Sequence, residues 1–179
     1  MVQAKVVFSA LSVGFLVACT DAPPANPMCR VVKTETPAPA ANAGCIVRVG
    51  NTILALTHLY SQKYDVPGGT SAGADESAQC TAHRETWEET GFNVEVGALL
   101  GVSEHGLQFY ACELDDDFDG LITDFPVPSW SKTEVNGIQL VDPFVTLPNE
   151  WRYPEQLILY RDMFNVLNNK KAEPIDPTS

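Results

Sequence analysis

Glu85, Glu88 and Glu89 fall within one turn of a run, Glu76 to Thr90, that contains neither proline nor glycine and stops at Gly91. A run of this kind closed by glycine predicts a helix. Side chains at i, i+3 and i+4 share one helix face, and like charges at that spacing cost an isolated helix about a few tenths of a kcal/mol per pair. Something must offset the repulsion. The loop before the helix opens on Pro67-Gly68-Gly69, where glycine lets backbone approach a metal or phosphate that a side chain would obstruct. Mg²⁺ takes near-octahedral oxygen coordination and commonly sits between a few carboxylates and substrate phosphates. Three carboxylates on one helix face therefore point to a divalent cation.

The 179 residues suffice for one domain with a real hydrophobic core, and 45% hydrophobic with 19% charged residues suits a globular protein. A formal net charge of -12 argues against a nucleic-acid polymer or an anionic bilayer surface as an electrostatic partner. Any polyanionic substrate needs cations to bridge it. CIVRV and TILALTHLY are β-rich runs separated by Gly50-Asn51, a two-residue hairpin signal. YDV reads as a short strand before the Pro-Gly-Gly loop, and FNVEV, ALLGV, LQFYACEL and IQLV as later strands. A closing helix is expected from Tyr153 to about Lys171, entered through Pro154. Strands that precede, separate and follow two helices predict an α+β or α/β sandwich.

Glu76, seven residues, Arg84-Glu85, two residues, Glu88-Glu89, one residue and Gly91 together resemble the Nudix box, G-x5-E-x7-R-E-U-x-E-E-x-G-U, with Thr86 and Phe92 at the two U positions. In this chain the loop TSAGAD is one residue longer than the pattern, so the first box glycine is Gly69 and Thr70 stands where the count would put it. The resemblance implies an α+β fold of the α/β/α sandwich kind, a mixed sheet between helices, over residues 44–172. It implies Mg²⁺, or Mn²⁺, held by the Gly69 carbonyl and the carboxylates of Glu85, Glu88 and Glu89. Glu134, in SWSKTEVNGIQLVDP, corresponds to a further metal-binding carboxylate, with Glu104 as the alternative. Water would attack a phosphorus of a nucleoside diphosphate linked to a moiety X, with Glu85 taking a general-base share and Glu88 and Glu89 completing the catalytic set. Arg84 precedes the first ligand and is expected to orient the loop and neighbouring acids. Gly68, Glu76 and Gly91 support the loop and helix. A small-molecule diphosphate is the implied partner. The rival of another class is a catalytically silent Nudix-fold module that binds a nucleotide or nucleotide-sugar; intact Glu85, Glu88 and Glu89 favour hydrolysis.

Residues 1–18 read as an export signal, with basic Lys5 and an apolar run from Val6 to Val17 that is shorter than the roughly 20 residues needed to span a bilayer. Leu16-Val17-Ala18-Cys19 resembles a bacterial lipobox, which implies cleavage before Cys19, a lipid anchor on its thiol and a periplasmic location. Thr20 is not the Asp of an inner-membrane retention signal, so the outer membrane is favoured. Residues 19–43 are expected to form a lipidated, Pro/Ala-rich linker and 173–179 a tail. Cys29, Cys45, Cys80 and Cys112 remain, an even number in a disulfide-permissive compartment, and three pairings are open.

Asp115, Asp117, Asp119 and Gly120 occupy the first, third, fifth and sixth places of a calcium loop, but Pro126 stands at the twelfth. An acidic turn after a strand is the expectation there. His58, His83 and His105 show no metal-ligand spacing, and Tyr64, Phe109 and Tyr110, lying in strand-like runs, are expected in the core.

Overall fold

The computed structural model describes residues 24–114 and 122–172. The expected signal sequence, Cys19, the 173–179 tail and Asp115, Asp117, Asp119 and Gly120 lie outside these residues. Strands β1 (Ala43–Val49) and β2 (Thr52–His58) form the expected hairpin, Val49 opposite Thr52, with Gly50 at φ 56°. Short strands β3 (Tyr64–Asp65) and β4 (Gly68–Gly69) pair with β2 and β1. After helix α1 (Ala78–Thr90), FNVEV and ALLGV merge into one strand, β5 (Glu95–Val102), which pairs antiparallel with β6 (Gln108–Glu113). Strands β7 (Asp124–Phe125) and β8 (Val135–Val141) complete a mixed sheet of order β5-β6-β1-β2-β8-β7, in which β1 and β6 run parallel.

Sheet residues point alternately to two cores. Cys45, Val47, Leu54 and Leu56 face α1, whereas Ile46, Ile53 and Ala55 face helix α2 (Leu157–Ala172). Strands buried on both sides read as continuous apolar runs, which is why the central hairpin stood out in the sequence. A single 3-10 turn, Pro154–Gln156, leads into α2, so the α-helix starts later than Tyr153. The result is the expected α/β/α sandwich. No helix among the described residues is long and apolar enough to cross a membrane.

Helix α1 begins after Glu76, not at it: Ser77 is the N-cap, its hydroxyl accepting from the Cys80 amide at 3.3 Å. Gly91 ends the helix at φ 76°, its amide donating to Trp87 O at 2.8 Å. The buried face of α1 is small and polar, with Ala78, Thr81, Ala82, His83, Thr86 and Thr90. Thr86 and Thr90 donate to the carbonyls four residues back at 2.7 and 2.5 Å, which satisfies hydroxyls that burial would otherwise penalise. His83 is bonded to Asn93 Oδ1 at 2.9 Å. Small side chains let the helix lie close on the sheet, directly over a Cys45–Cys112 disulfide that links β1 to β6. The Cys45 sulfur lies 3.7 Å from Ala82 O. That is a packing contact, because a disulfide sulfur has no proton to donate.

A second disulfide, Cys29–Cys80, reaches from the N-terminal segment to the first turn of α1. Within the span expected as a linker, residues 24–42 are thus fastened to the domain. The reason is specific bonding that composition does not reveal: besides the disulfide, Val32 N donates to Val96 O and Ala38 N to Gln79 Oε1, each at 2.9 Å.

Candidate active site

The loop from β4 to α1 is organised by Arg84. Its Nε donates to Glu76 Oε1 at 2.7 Å, Nη1 to Glu85 Oε1 at 2.8 Å and to Glu88 Oε2 at 3.0 Å, and Nη2 to Thr70 O at 2.7 Å. Glu76 also accepts from the Ala72 amide at 2.7 Å and the Thr81 hydroxyl at 2.9 Å. This bonding, led by Arg84, holds its carboxyl down at about 2. On the exposed side of the longer loop, Ser71 Oγ donates to Gly73 O at 2.9 Å.

Glu85 and Glu89 turn toward the Pro-Gly-Gly loop. Gly68 N donates to Glu89 Oε2 at 2.9 Å. A Cβ on residue 69 would lie 2.5 Å from Glu85 Oε2, far inside any real contact, so glycine there is what leaves space for that carboxylate. Burial pushes the Glu89 carboxyl well above its usual range; the Gly68 amide opposes this, and the charges of Glu85, Asp65 and Glu134 add to it. Burial also raises Glu85, against the pull of Arg84. Glu88 is more exposed, its backbone carbonyl accepting from Trp130 Nε1 at 3.0 Å, and Trp130 stacks on Trp87.

The two remote candidates separate. Glu134 is exposed in the turn just before β8, yet its charge acts on both Glu89 and His58. Glu104 lines a cleft of about 350 Å³ between the β5–β6 turn and the start of α2, with Ser103, His105 and Gln156. Phe109 and Tyr110 are core residues, as expected, and Tyr64 packs edge-on against Trp151.

Sequence reasoning missed Asp65. Burial lifts its carboxyl to about 6, while the Val66 amide, Arg152 and Tyr160 pull it down. Arg152 Nη1 lies 3.6 Å from Asp65 Oδ2 and 2.7 Å from His58 Nε2. Tyr160 OH is 3.3 Å from Asp65 Oδ1 and 2.7 Å from Gln156 Oε1. One phenolic proton cannot serve both acceptors, so either Asp65 carries a proton or the Gln156 amide presents its nitrogen. The only signal in the sequence was an acid inside the apolar strand that enters the Pro-Gly-Gly loop.

The NUDIX domain profile matches residues 38–160. The chain belongs to the Nudix family. It is 40% identical over 60 residues to a MutT-like protein from Streptomyces ambofaciens, a match spanning 34% of this chain and 38% of that relative. Among solved structures it resembles a UDP-X diphosphatase (TM-score 0.54, 18% identity, 75% of this chain and 68% of the other). It also resembles an ADP-ribose pyrophosphatase from Streptococcus suis (TM-score 0.51, 19% identity, 79% and 97%) and a C. elegans Ap4A hydrolase (TM-score 0.51, 18% identity, 72% and 98%). At these identities the structures establish the Nudix fold.

No group of three or more His, Cys, Asp or Glu side chains among the described residues stands ready to hold a metal ion. The donor set nonetheless suits a hard cation. It is all oxygen, buried Glu89 feels the charge of partly buried Glu85, and glycine at 69 leaves space against the Glu85 carboxylate. Mg²⁺ usually takes one or two protein carboxylates and fills its octahedron with water and substrate phosphates. Glu85 and Glu89 fit that role.

Proposed function

We propose that this Nudix hydrolase cleaves the diphosphate bond of a nucleoside diphosphate linked to another moiety, with Mg²⁺ or Mn²⁺ held by Glu85, Glu89 and Glu88, the Gly69 carbonyl and the remote Glu134. The observation that carries the reading is the Glu85 carboxylate lodged against Gly69 beside buried Glu89. Like charges that act on one another in a largely desolvated site are costly alone and are relieved by a cation. When bound, the metal lowers the pKa of a water and stabilises charge on the departing phosphate. Phosphoryl transfer asks the protein chiefly for alignment and neutralisation, and the chain's own residues are arranged for both. Glu85 Oε1 is pinned by Arg84, which leaves Oε2 to accept a proton from the attacking water. Arg84 also ties Thr70 and Glu76 into one frame, so the loop cannot drift away from the helix. Glu89, fixed by the Gly68 amide, couples that frame to β4.

The lipobox-like LVAC sequence further supports a protein anchored through Cys19 and working on the periplasmic side of a bacterial envelope, with the outer membrane favoured. The substrate panel follows from the relatives: UDP-sugars, ADP-ribose and diadenosine tetraphosphate, extended by NADH and lipid diphosphates. Cleavage of an internal diphosphate bond leaves phosphate esters that release inorganic phosphate only after phosphatase is added, whereas a terminal lipid diphosphate releases it directly, and in both cases only with Mg²⁺ or Mn²⁺ present. Absence of metal-dependent product from every member of the panel would overturn the hydrolase reading.

A further inference from the structure

Residues 24–37 precede the matched family domain, yet they are bound along it at every level. Val31 bridges Val96 on the outer edge of β5, and Val96 N donates to Arg30 O at 2.9 Å. Gln79, only 3% exposed, donates from Nε2 to Thr36 O in this segment and accepts at Oε1 from the amide of Ala38, the residue that follows it, each at 2.9 Å. Without the segment, a buried polar side chain of α1 would lose the partner of its amide nitrogen, which burial penalises. The Cys29–Cys80 bond makes the attachment covalent. At the far end, Asn26 Nδ2 donates to Glu88 Oε1 at 2.8 Å, while Arg84 Nη1 holds the other oxygen, Glu88 Oε2, at 3.0 Å.

We propose that this N-terminal strap is a positioning element of the active site: Asn26 orients the Glu88 carboxylate for the cation, and the Cys29–Cys80 bond keeps Asn26 in place. The inference rests on the reading of Glu88 as a metal ligand. Its physical basis is the difference between the two donors. Arg84 orients Glu88 but also cancels its charge and is shared with Glu76 and Glu85. Asn26 is neutral, so it fixes the carboxylate without competing for its charge, and the oxygen it binds retains a lone pair for a cation. Outer partners of metal ligands act this way generally, and their loss costs about 10- to 100-fold in metal affinity or activity.

The test uses the full chain and Mn²⁺ alone as probe, with binding followed by the free-ion EPR signal and folding checked by circular dichroism. Asn26→Ala should weaken Mn²⁺ binding about 10-fold, raise the metal concentration needed for half-maximal turnover by a similar factor, and leave turnover at saturating metal within about threefold. Removing the clamp with Cys29→Ser and Cys80→Ser should produce a similar loss. Adding Asn26→Ala to that double variant should then weaken binding little further, because the two changes break one interaction. Two outcomes overturn the proposal: unchanged Mn²⁺ affinity in Asn26→Ala, which is decisive even if the cysteine variants fold poorly, or fully additive losses. Glu88→Gln serves as the control. If it too leaves Mn²⁺ affinity unchanged, the metal-site reading has failed; if it alone weakens binding, only the strap's role has failed.

Discussion

Asp65→Asn isolates what a buried acid next to the active site costs the fold. Asp65 is 14% exposed, and its carboxyl rises from 3.8 to about 6, chiefly through burial. That is about two powers of ten in proton affinity, and at about 1.4 kcal/mol for each it amounts to about 3 kcal/mol. Because the folded value is the raised one, the contribution to stability is fully present below 3.8 and is lost as pH rises through about 6. The wild-type protein therefore carries the full penalty at pH 8 and little of it at pH 4. Asparagine keeps the shape and the acceptor for the Val66 amide but cannot ionise, so it loses the Arg152 contact at every pH and removes only the pH-dependent part. Stability measured by urea unfolding of metal-free protein should accordingly shift in the variant's favour by about 2 to 3 kcal/mol between pH 4 and pH 8, relative to wild type. Relief of the Asp65 charge on Glu89 acts in the same direction. A difference between the two proteins that stays constant across that interval would show that Asp65 is not held as a desolvated acid.

Glu89→Gln should cut turnover sharply while raising metal-free stability at pH 8 by about a few tenths of a kcal/mol, as expected for removal of a like charge; steady-state kinetics and thermal unfolding together check this, and parallel changes of both would count against a metal site. Saturating Mg²⁺ at about 100 times its dissociation constant should stabilise the folded protein by about 2.7 kcal/mol. That corresponds to a rise of about 5 to 10 °C in Tm for a domain of this size, and an unmoved Tm would refute binding. Gly69→Ala should abolish most activity with little loss of stability, because what its Cβ would meet first is the movable end of Glu85, 2.5 Å away. Cys19→Ser should abolish lipid labelling and leave the chain uncleaved or mislocalised, as mass and membrane partition would show.

The parts of the fold that sequence disclosed are those governed by local rules. Gly50-Asn51 closes a hairpin, Gly91 ends a helix, and strands buried on both faces spell continuous apolar runs. The box spacing likewise located Arg84 and its carboxylates, because residue spacing on a helix translates directly into a shared face. What stayed hidden depends on contacts between distant segments. The face that α1 buries is made of alanine, threonine and histidine, so no hydrophobic periodicity announces it. The pairing of Cys29 with Cys80 and of Cys45 with Cys112 is decided by which segments become neighbours in the fold. Asp65 looked like an ordinary polar residue until Arg152 and Tyr160, nearly a hundred positions away, came beside it. Proline-rich composition suggested a free linker over residues 19–43, whereas within it residues 24–42 are bound to the domain by the Cys29–Cys80 bond, the edge of β5 and the buried amide of Gln79.

The Cys29–Cys80 bond also sets a length. Along the backbone, α1 lies far from Cys19, but the bond bypasses a separation of 51 residues, and the covalent route from Cys19 to the catalytic helix then runs through only about ten residues. Fully stretched, that leash spans about 35 Å. On the proposed anchor, the catalytic centre is confined to a thin layer next to the bilayer. Diphosphates that are made, exported or held at that surface would meet the enzyme at a far higher local concentration than those diffusing through the compartment.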